Sequence, residues 1–147
     1  EEVGLDLEQR NIKFDFANFV AHDTQIIADP EQLRKVISNI IGNSVKYIDK
    51  EEGRIDIRIL DEIDSIRVEI EDNGKGISQR DLGSIFERFY RTDSSRNSTK
   101  GGNGIGLSIV KKIIEDHGGY IWATSKEGEG TCMHFVIRKY SEVENNE

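Results

Sequence analysis

Apolar residues recur along this chain with two periods, and each change of period marks a new element. Ile12, Phe14 and Phe16 alternate with Lys13 and Asp15, the two-residue period of a strand. Thr24 to Ala28 reads as a short second strand. Asp29-Pro30-Glu31 then opens a helix. Asp29 can cap the free amides, Pro30 suits the first helical position, and Glu31 suits the positive end of the dipole. Leu33, Val36, Ile37, Ile40, Ser44 and Tyr47 form one stripe at helical spacing. The helix should end near Ile48, before the charged turn from Asp49 to Gly53.

The period then returns to two. Ile55, Ile57 and Ile59, followed by Ile66, Val68 and Ile70, predict an antiparallel hairpin with one buried face. A turn with glycines follows at Asp72 to Gly76, then a helical stretch over Gln79 to Arg88. Thr92 to Asn103 holds no aliphatic residue, and a loop this long in a compact domain is usually functional or mobile. Leu107, Ile109, Val110, Ile113 and Ile114 mark another amphipathic helix, stopped by His117-Gly118-Gly119. Tyr120 to Ser125 and Thr131 to Tyr140 read as strands joined by a Gly-bearing turn. The order of strands, helix, hairpin, helices and hairpin argues against an all-parallel sheet. It fits an α+β fold with helices on one face of a mixed sheet.

Length and charge narrow the function. At 147 residues the chain fits one domain, and its net charge of −8 disfavours general binding to nucleic acid or anionic lipid. No apolar run approaches the roughly 20 residues of a membrane span. Cys132 is the only cysteine, which excludes an internal disulfide. With three scattered histidines, it also argues against a structural zinc site. Residues 1–11 read as the end of a connecting segment, and the polar residues 141–147 as a disordered tail.

Candidate chemistry lies on the borders of these elements. With Ile40 at zero, Asn39, Asn43 and Lys46 fall at about −100°, −60° and −120° around their helix, beside the apolar stripe. Amides and an ammonium there suit a divalent cation and a phosphate, and equally suit a solvated helix flank. Asp72-Asn73-Gly74-Lys75-Gly76-Ile77 places a carboxylate and two glycines after a buried strand. That combination fits either the amine of a flat base or an ordinary turn. Gly101 to Leu107 lays glycines before a helix start, where backbone amides suit phosphate oxygens or a hinge. Arg88, Arg91, Arg96 and Lys100 stand against Asp93 alone, a local charge of +3 suited to a polyphosphate or an acidic partner.

Taken in order, these segments resemble the N, G1, F and G2 boxes of the ATP-binding catalytic domain of bacterial sensor histidine kinases. The matching runs are Asn39 to Tyr47, Asp72 to Ile77, Ile85 to Arg91 and Gly102 to Leu107, and Gly128 to Thr131 is similar to the G3 box. The resemblance spans about residues 12–140 and, with the connecting segment, marks 1–140 as one catalytic domain. It implies the Bergerat fold, a two-layer α/β sandwich of about five strands with three main helices on one face. It also implies ATP and Mg²⁺. By position, Asn43 would hold Mg²⁺, with Asn39 near the phosphates. Lys46 and Arg91 would approach the phosphates, and Tyr47 would line the nucleotide site. Asp72 would take the adenine amine, with Gly74, Gly76 and Ile77 shaping that pocket and Thr131 near the base. Gly102, Gly104, Gly106 and Leu107 would form the lid end. Phe86 and Phe89 would be structural, or in one case touch the partner domain.

Ser44 and Ile48 depart from the usual Ala and Ser or Thr, and Asn103 and Ile105 from Thr and Leu. None is expected to touch ligand atoms. The phospho-accepting H box is absent, and His22, His117 and His134 lie in structural or exposed settings. The resemblance therefore implies an enzyme part that presents the γ-phosphoryl group to a His on a separate dimerisation domain, and further implies a response regulator. It places the domain in the cytoplasm, without direct membrane contact, as part of a membrane-anchored receptor. A non-catalytic nucleotide-binding regulatory module and an anti-sigma-factor-type serine kinase are the alternatives. The F-box segment favours the sensor kinase.

Overall fold

The computed structural model describes residues 11–87 and 106–141. Its elements are β1 (Ile12–Asn18), α1 (Pro30–Tyr47), β2 (Gly53–Asp61), β3 (Ser65–Asp72), α2 (Gln79–Leu82), α3 (Gly106–Asp116), β4 (Ile121–Lys126) and β5 (Gly130–Arg138). The five strands form one sheet in the order β1-β2-β3-β5-β4. β1 and β2 are parallel and the other neighbours antiparallel, so the sheet is mixed. The expectations for residues 1–10, for the basic loop and for the tail lie outside the described residues.

Register explains why one face is apolar. Ile57 pairs with Ile70, and Ile70 with Met133. One step along, Ile59 pairs with Val68, and Val68 with Phe135, which pairs with Ile121. Paired residues share a face, so these rows form a single apolar surface. Val36, Ile40, Ile41 and Val45 of α1 and Val110, Ile113 and Ile114 of α3 join them in one core. The helices thus form the second layer of an α+β sandwich.

α1 begins as its sequence directs. Asp29 Oδ1 accepts from the amides of Glu31 (2.9 Å) and Gln32 (3.3 Å), and Ile48 caps the other end. Its buried face is wider than the single stripe read from spacing. Ile41 and Val45 are buried, whereas Leu33 and Ile37 are only partly covered, because α1 packs against α3 as well as the sheet. His117 ties the two helices together. Its Nδ1 lies 2.7 Å from the Ile113 carbonyl and its Nε2 accepts from the Asp29 amide at 3.1 Å. A ring that accepts at Nε2 and donates to the carbonyl carries its hydrogen on Nδ1.

Three expectations need correction or refinement. Thr24 to Ala28 is not a strand. Ile26 makes a single bridge to Lys139, flanked by Ile27 N to Arg138 O (2.9 Å) and Tyr140 N to Gln25 O (2.8 Å). The segment meets the chain only past the end of β5, too late to build a ladder. The helix expected over Gln79 to Arg88 lasts four residues. Ser78 caps it, Gly83 follows, and single turns continue through Ser84 and Glu87. Glycine is a poor helix former, and Ile85 still reaches the core at 3% exposure. β1 forms as read, but its alternation does not bury Phe14 or Phe16, which are 40% and 60% exposed. Among the described residues β1 is an edge strand, paired with β2 alone.

Removing the Asp29 cap with Asp29→Ala should cost about 1 kcal/mol. The check is a lower urea midpoint at unchanged slope.

Candidate functional site

The end of β3 gathers most of the residues singled out by the sequence. Asp72 closes that strand and is 8% exposed, one of two buried polar side chains among the described residues. It pairs with Ile55 on one side and Thr131 on the other, so its carboxylate points toward the helix layer. Oδ1 accepts from Gly74 N (2.8 Å) and Thr131 N (3.3 Å). The Ser44 hydroxyl on α1 donates to the same carboxylate. Burial pushes Asp72 above the ordinary value of 3.8 and the Glu71 charge adds to the rise. The bonds from Gly74, Ser44 and Thr131 oppose this without cancelling it.

The turn after Asp72 is fixed against the end of α1. Lys75 N donates to Tyr47 O at 3.1 Å, and Gly128 N to Lys75 O at 2.7 Å. Lys50 Nζ donates to the carbonyls of Asn73 and Gly74, both at 3.0 Å. A Cβ on Gly74 would stand 2.6 Å from Tyr47 O, and Gly76 has φ +78 and packs on the Lys126 carbonyl. Only glycine fits either position without moving backbone. Ile77 N donates to Ser125 Oγ at 2.8 Å, which ties the turn to β4.

On α1, Asn39, Asn43 and Lys46 are half-buried along the helix border, as their spacing implied. Asn39 Nδ2 donates to Lys35 O at 2.9 Å, and a Cβ on Gly106 would lie 3.7 Å from Asn39 Oδ1. The first turn of α3 therefore abuts Asn39, with Leu107 packed on the core beside it. No hydrogen bond holds the Asn43 carboxamide among the described residues. The ammonium groups of Lys46 and Lys75 lie 5.5 Å and 4.9 Å from the centre of the Tyr47 ring. The structure thus brings together Asn39, Asn43, Lys46, Tyr47, Asp72, Gly74, Gly76, Ile77, Gly106, Leu107 and Thr131. Arg91, Gly102, Gly104 and Phe89 lie outside the described residues, while Phe86 packs on the core as expected.

One departure proves to matter. Ser44 was expected not to touch ligand atoms, and it instead supports Asp72 from behind, 4% exposed and bonded to its carboxylate. A hydroxyl on an otherwise apolar stripe was the available signal, since a buried hydroxyl needs a partner. Lys50 and Ser125 were also missed. Both act across the fold and carry no local pattern.

The other sheet face holds a separate polar network. Arg58 donates to Glu69 (3.0 Å) and Glu71 (2.9 Å), and lies 3.8 Å from Cys132 Sγ. His134 Nδ1 lies 3.0 Å from Glu69 and its Nε2 3.0 Å from Thr124 Oγ1, while Trp122 stacks on the ring at 4.9 Å. Burial raises the Cys132 thiol to about 12, with help from Glu69 and Glu71. Burial alone would raise Glu69, but Arg58 and His134 outweigh it and hold Glu69 low. Glu69, Cys132 and His134 stand close enough to share an ion. The Arg58 guanidinium already supplies the positive charge there, and the thiol keeps its proton.

The family model described as histidine kinase-, DNA gyrase B-, and HSP90-like ATPase matches residues 28–141. This chain belongs to that family. ATP binding is the chemistry of such ATPase domains, and the acceptor set around Asp72 suits the amine of an adenine. The sensor histidine kinase WalK of Bacillus subtilis is 34% identical over 141 residues, covering 95% of this chain. The sensor protein kinase WalK of Staphylococcus haemolyticus is 39% identical over 111 residues, covering 74% of it. The chain spans 23% and 18% of the length of those relatives. The catalytic domain of the histidine kinase ThkA superposes with a TM-score of 0.78 at 32% identity, covering 94% of this chain and 88% of that one. The fold is therefore that of histidine kinase catalytic domains. No helix among the described residues is long and apolar enough to cross a membrane.

Ser44→Ala removes a bond that favours the charged form of Asp72. The Asp72 pKa should rise further above its ordinary value, as read by carboxyl-carbon NMR titration.

Proposed function

We propose that this chain is the ATP-binding catalytic domain of a sensor histidine kinase. It positions Mg·ATP for transfer of the γ-phosphoryl group to a His on a separate dimerisation domain. The observation that carries the reading is the buried Asp72 carboxylate, one oxygen held by two backbone amides, beside two glycines and the border of α1. A carboxylate held in this way can accept from an exocyclic amine while Gly74, Gly76 and Ile77 admit a flat ring. Tyr47 lines the same recess, and Thr131 adds a hydroxyl beside the carboxylate.

The phosphate end falls to Asn39, Lys46, Gly106 and Leu107, with Arg91, Gly102 and Gly104 of the adjoining segment. Asn43 offers a hard carboxamide oxygen with no hydrogen-bond partner among the described residues, which suits Mg²⁺. When bound, that ion supplies charge neutralisation for phosphoryl transfer. Lys46 and Arg91 supply the rest of it, since positioning and neutralisation are what such transfer chiefly needs. Asn39 carries an amide, which cannot accept a proton from water, so the general base would come from the separate dimerisation domain.

The catalytic domain would occupy residues 1–140. Its partners are the dimerisation domain with its His and a response regulator. A complex of ThkA with the response regulator TrrA, at TM-score 0.75 and 29% identity, supports the second partner. The work is cytoplasmic, within a membrane-anchored receptor.

Two measurements test this reading. Mixed with a dimerisation domain carrying its His and with γ-labelled ATP, the chain should label that His while hydrolysing little ATP alone. Nucleotide binding without label would instead favour a regulatory module. Calorimetry should show Asp72→Asn weakening ATP at least about tenfold, because the amide puts a donor opposite an amine. In the unsubstituted chain, affinity should fall as pH drops through the raised Asp72 value, an onset above the 3.8 of an ordinary aspartate. Asp72→Asn should flatten that profile. Unchanged affinity would remove Asp72 from the site.

A further inference from the structure

We infer that Ser125 fixes the hydrogen-bond polarity of Thr131, so that the base-facing wall of the site offers acceptors only and selects a 6-aminopurine over a 6-oxopurine. The inference rests on the nucleotide site proposed above and adds its specificity device.

A serine hydroxyl has one hydrogen to give and two lone pairs to receive. Three partners surround Ser125 Oγ, each at 2.8 Å: Ile77 N, Gly130 O and Thr131 Oγ1. The amide of Ile77 can only donate, and the carbonyl of Gly130 can only accept. The Ser125 hydrogen therefore goes to Gly130, and the lone pair left by Ile77 takes the Thr131 hydrogen. The reverse arrangement, with Ser125 donating to Thr131, leaves the Gly130 carbonyl without this partner and forms one bond fewer. In a half-buried setting the fully bonded arrangement prevails.

The consequence falls on Thr131. With its hydrogen turned to Ser125, its oxygen presents only lone pairs to anything else. Thr131 pairs with Asp72 in register, so both side chains emerge on the helix side of adjacent strands. Two acceptors then stand side by side, one a carboxylate. An amine, with two hydrogens to give, satisfies such a wall directly, whereas a ring oxygen meets it with like polarity. A water between Thr131 and the base keeps the sense, since it donates to Thr131 and turns its other hydrogen to a ring nitrogen that accepts. The three bonds also join the turn after Asp72 to β4 and β5, so the polarity is held by the sheet itself.

The test compares ATP with inosine triphosphate, which differ at the 6-position in carrying an amine or an oxygen and at the adjacent ring nitrogen. Calorimetry gives both affinities for the chain and its variants. Ser125→Ala frees the Thr131 hydrogen to meet a ring oxygen, and the preference for ATP should shrink by about tenfold. Ser125→Thr keeps the hydroxyl and should restore the preference. Thr131→Val should also shrink it, and adding Ser125→Ala to Thr131→Val should change the ratio no further. A merely structural role moves both affinities together, so an unchanged ratio in Ser125→Ala, or in Thr131→Val, overturns the inference while leaving the site in place. An unsubstituted chain that binds neither nucleotide overturns the site and the inference together.

Discussion

A carboxylate buried at the end of a strand must find hydrogen bonds or lose its charge, and the fold around Asp72 is organised by that demand. Its bonds come from the turn that follows it, from the facing strand β5 and from helix α1. No single segment could supply all three. The helix must lie across the sheet at the height where Ser44 reaches the end of β3, and β5 must pair with β3 in the register that sets Thr131 beside Asp72. Even so, burial wins and the group stays above its ordinary value. Such a residual cost is typical of acceptors kept for a ligand rather than for stability.

The two faces of the sheet solve different problems. On the helix side, apolar rows supply the burial that holds the domain together, and polarity is confined to one edge near Asp72 and Thr131. On the other side, charge is balanced within the face. Arg58 answers Glu69 and Glu71, His134 shares Glu69, and Trp122 covers the imidazole. The face with the greater density of titratable groups thus answers most of its charge internally, although Arg67 Nε is left without a hydrogen-bond partner among the described residues.

Rigidity at the site comes from backbone more than from side-chain packing. Lys50, Tyr47 and Gly128 hold the turn after Asp72 from both sides, and Ser125 pins its far end to β4. These bonds fix the turn within the fold itself, so a ligand at the proposed site would meet little ordering cost.

Much was legible in the sequence because it was local or periodic. The cap at Asp29, the alternation of β2 and β3, the helix border carrying Asn39, Asn43 and Lys46, and the glycines after Asp72 all follow from spacing and from the conformations that side chains permit. Thr24 to Ala28 misled because β propensity does not say whether a partner strand extends far enough to pair. The short α2 misled because an apolar pattern continued past Gly83 while the backbone did not. The Ser44 hydroxyl signalled that it needed a partner but not which one, and Lys50 and Ser125 stayed silent because each acts on a residue far along the chain. Ser125 reaches Ile77 across 48 positions, and Thr131 reaches Asp72 across 59. Sequence alone determined which residues can accept, donate or turn. Which of them meet, and in which direction each hydrogen points, was decided only when strand register and helix placement brought distant groups within a single bond of one another.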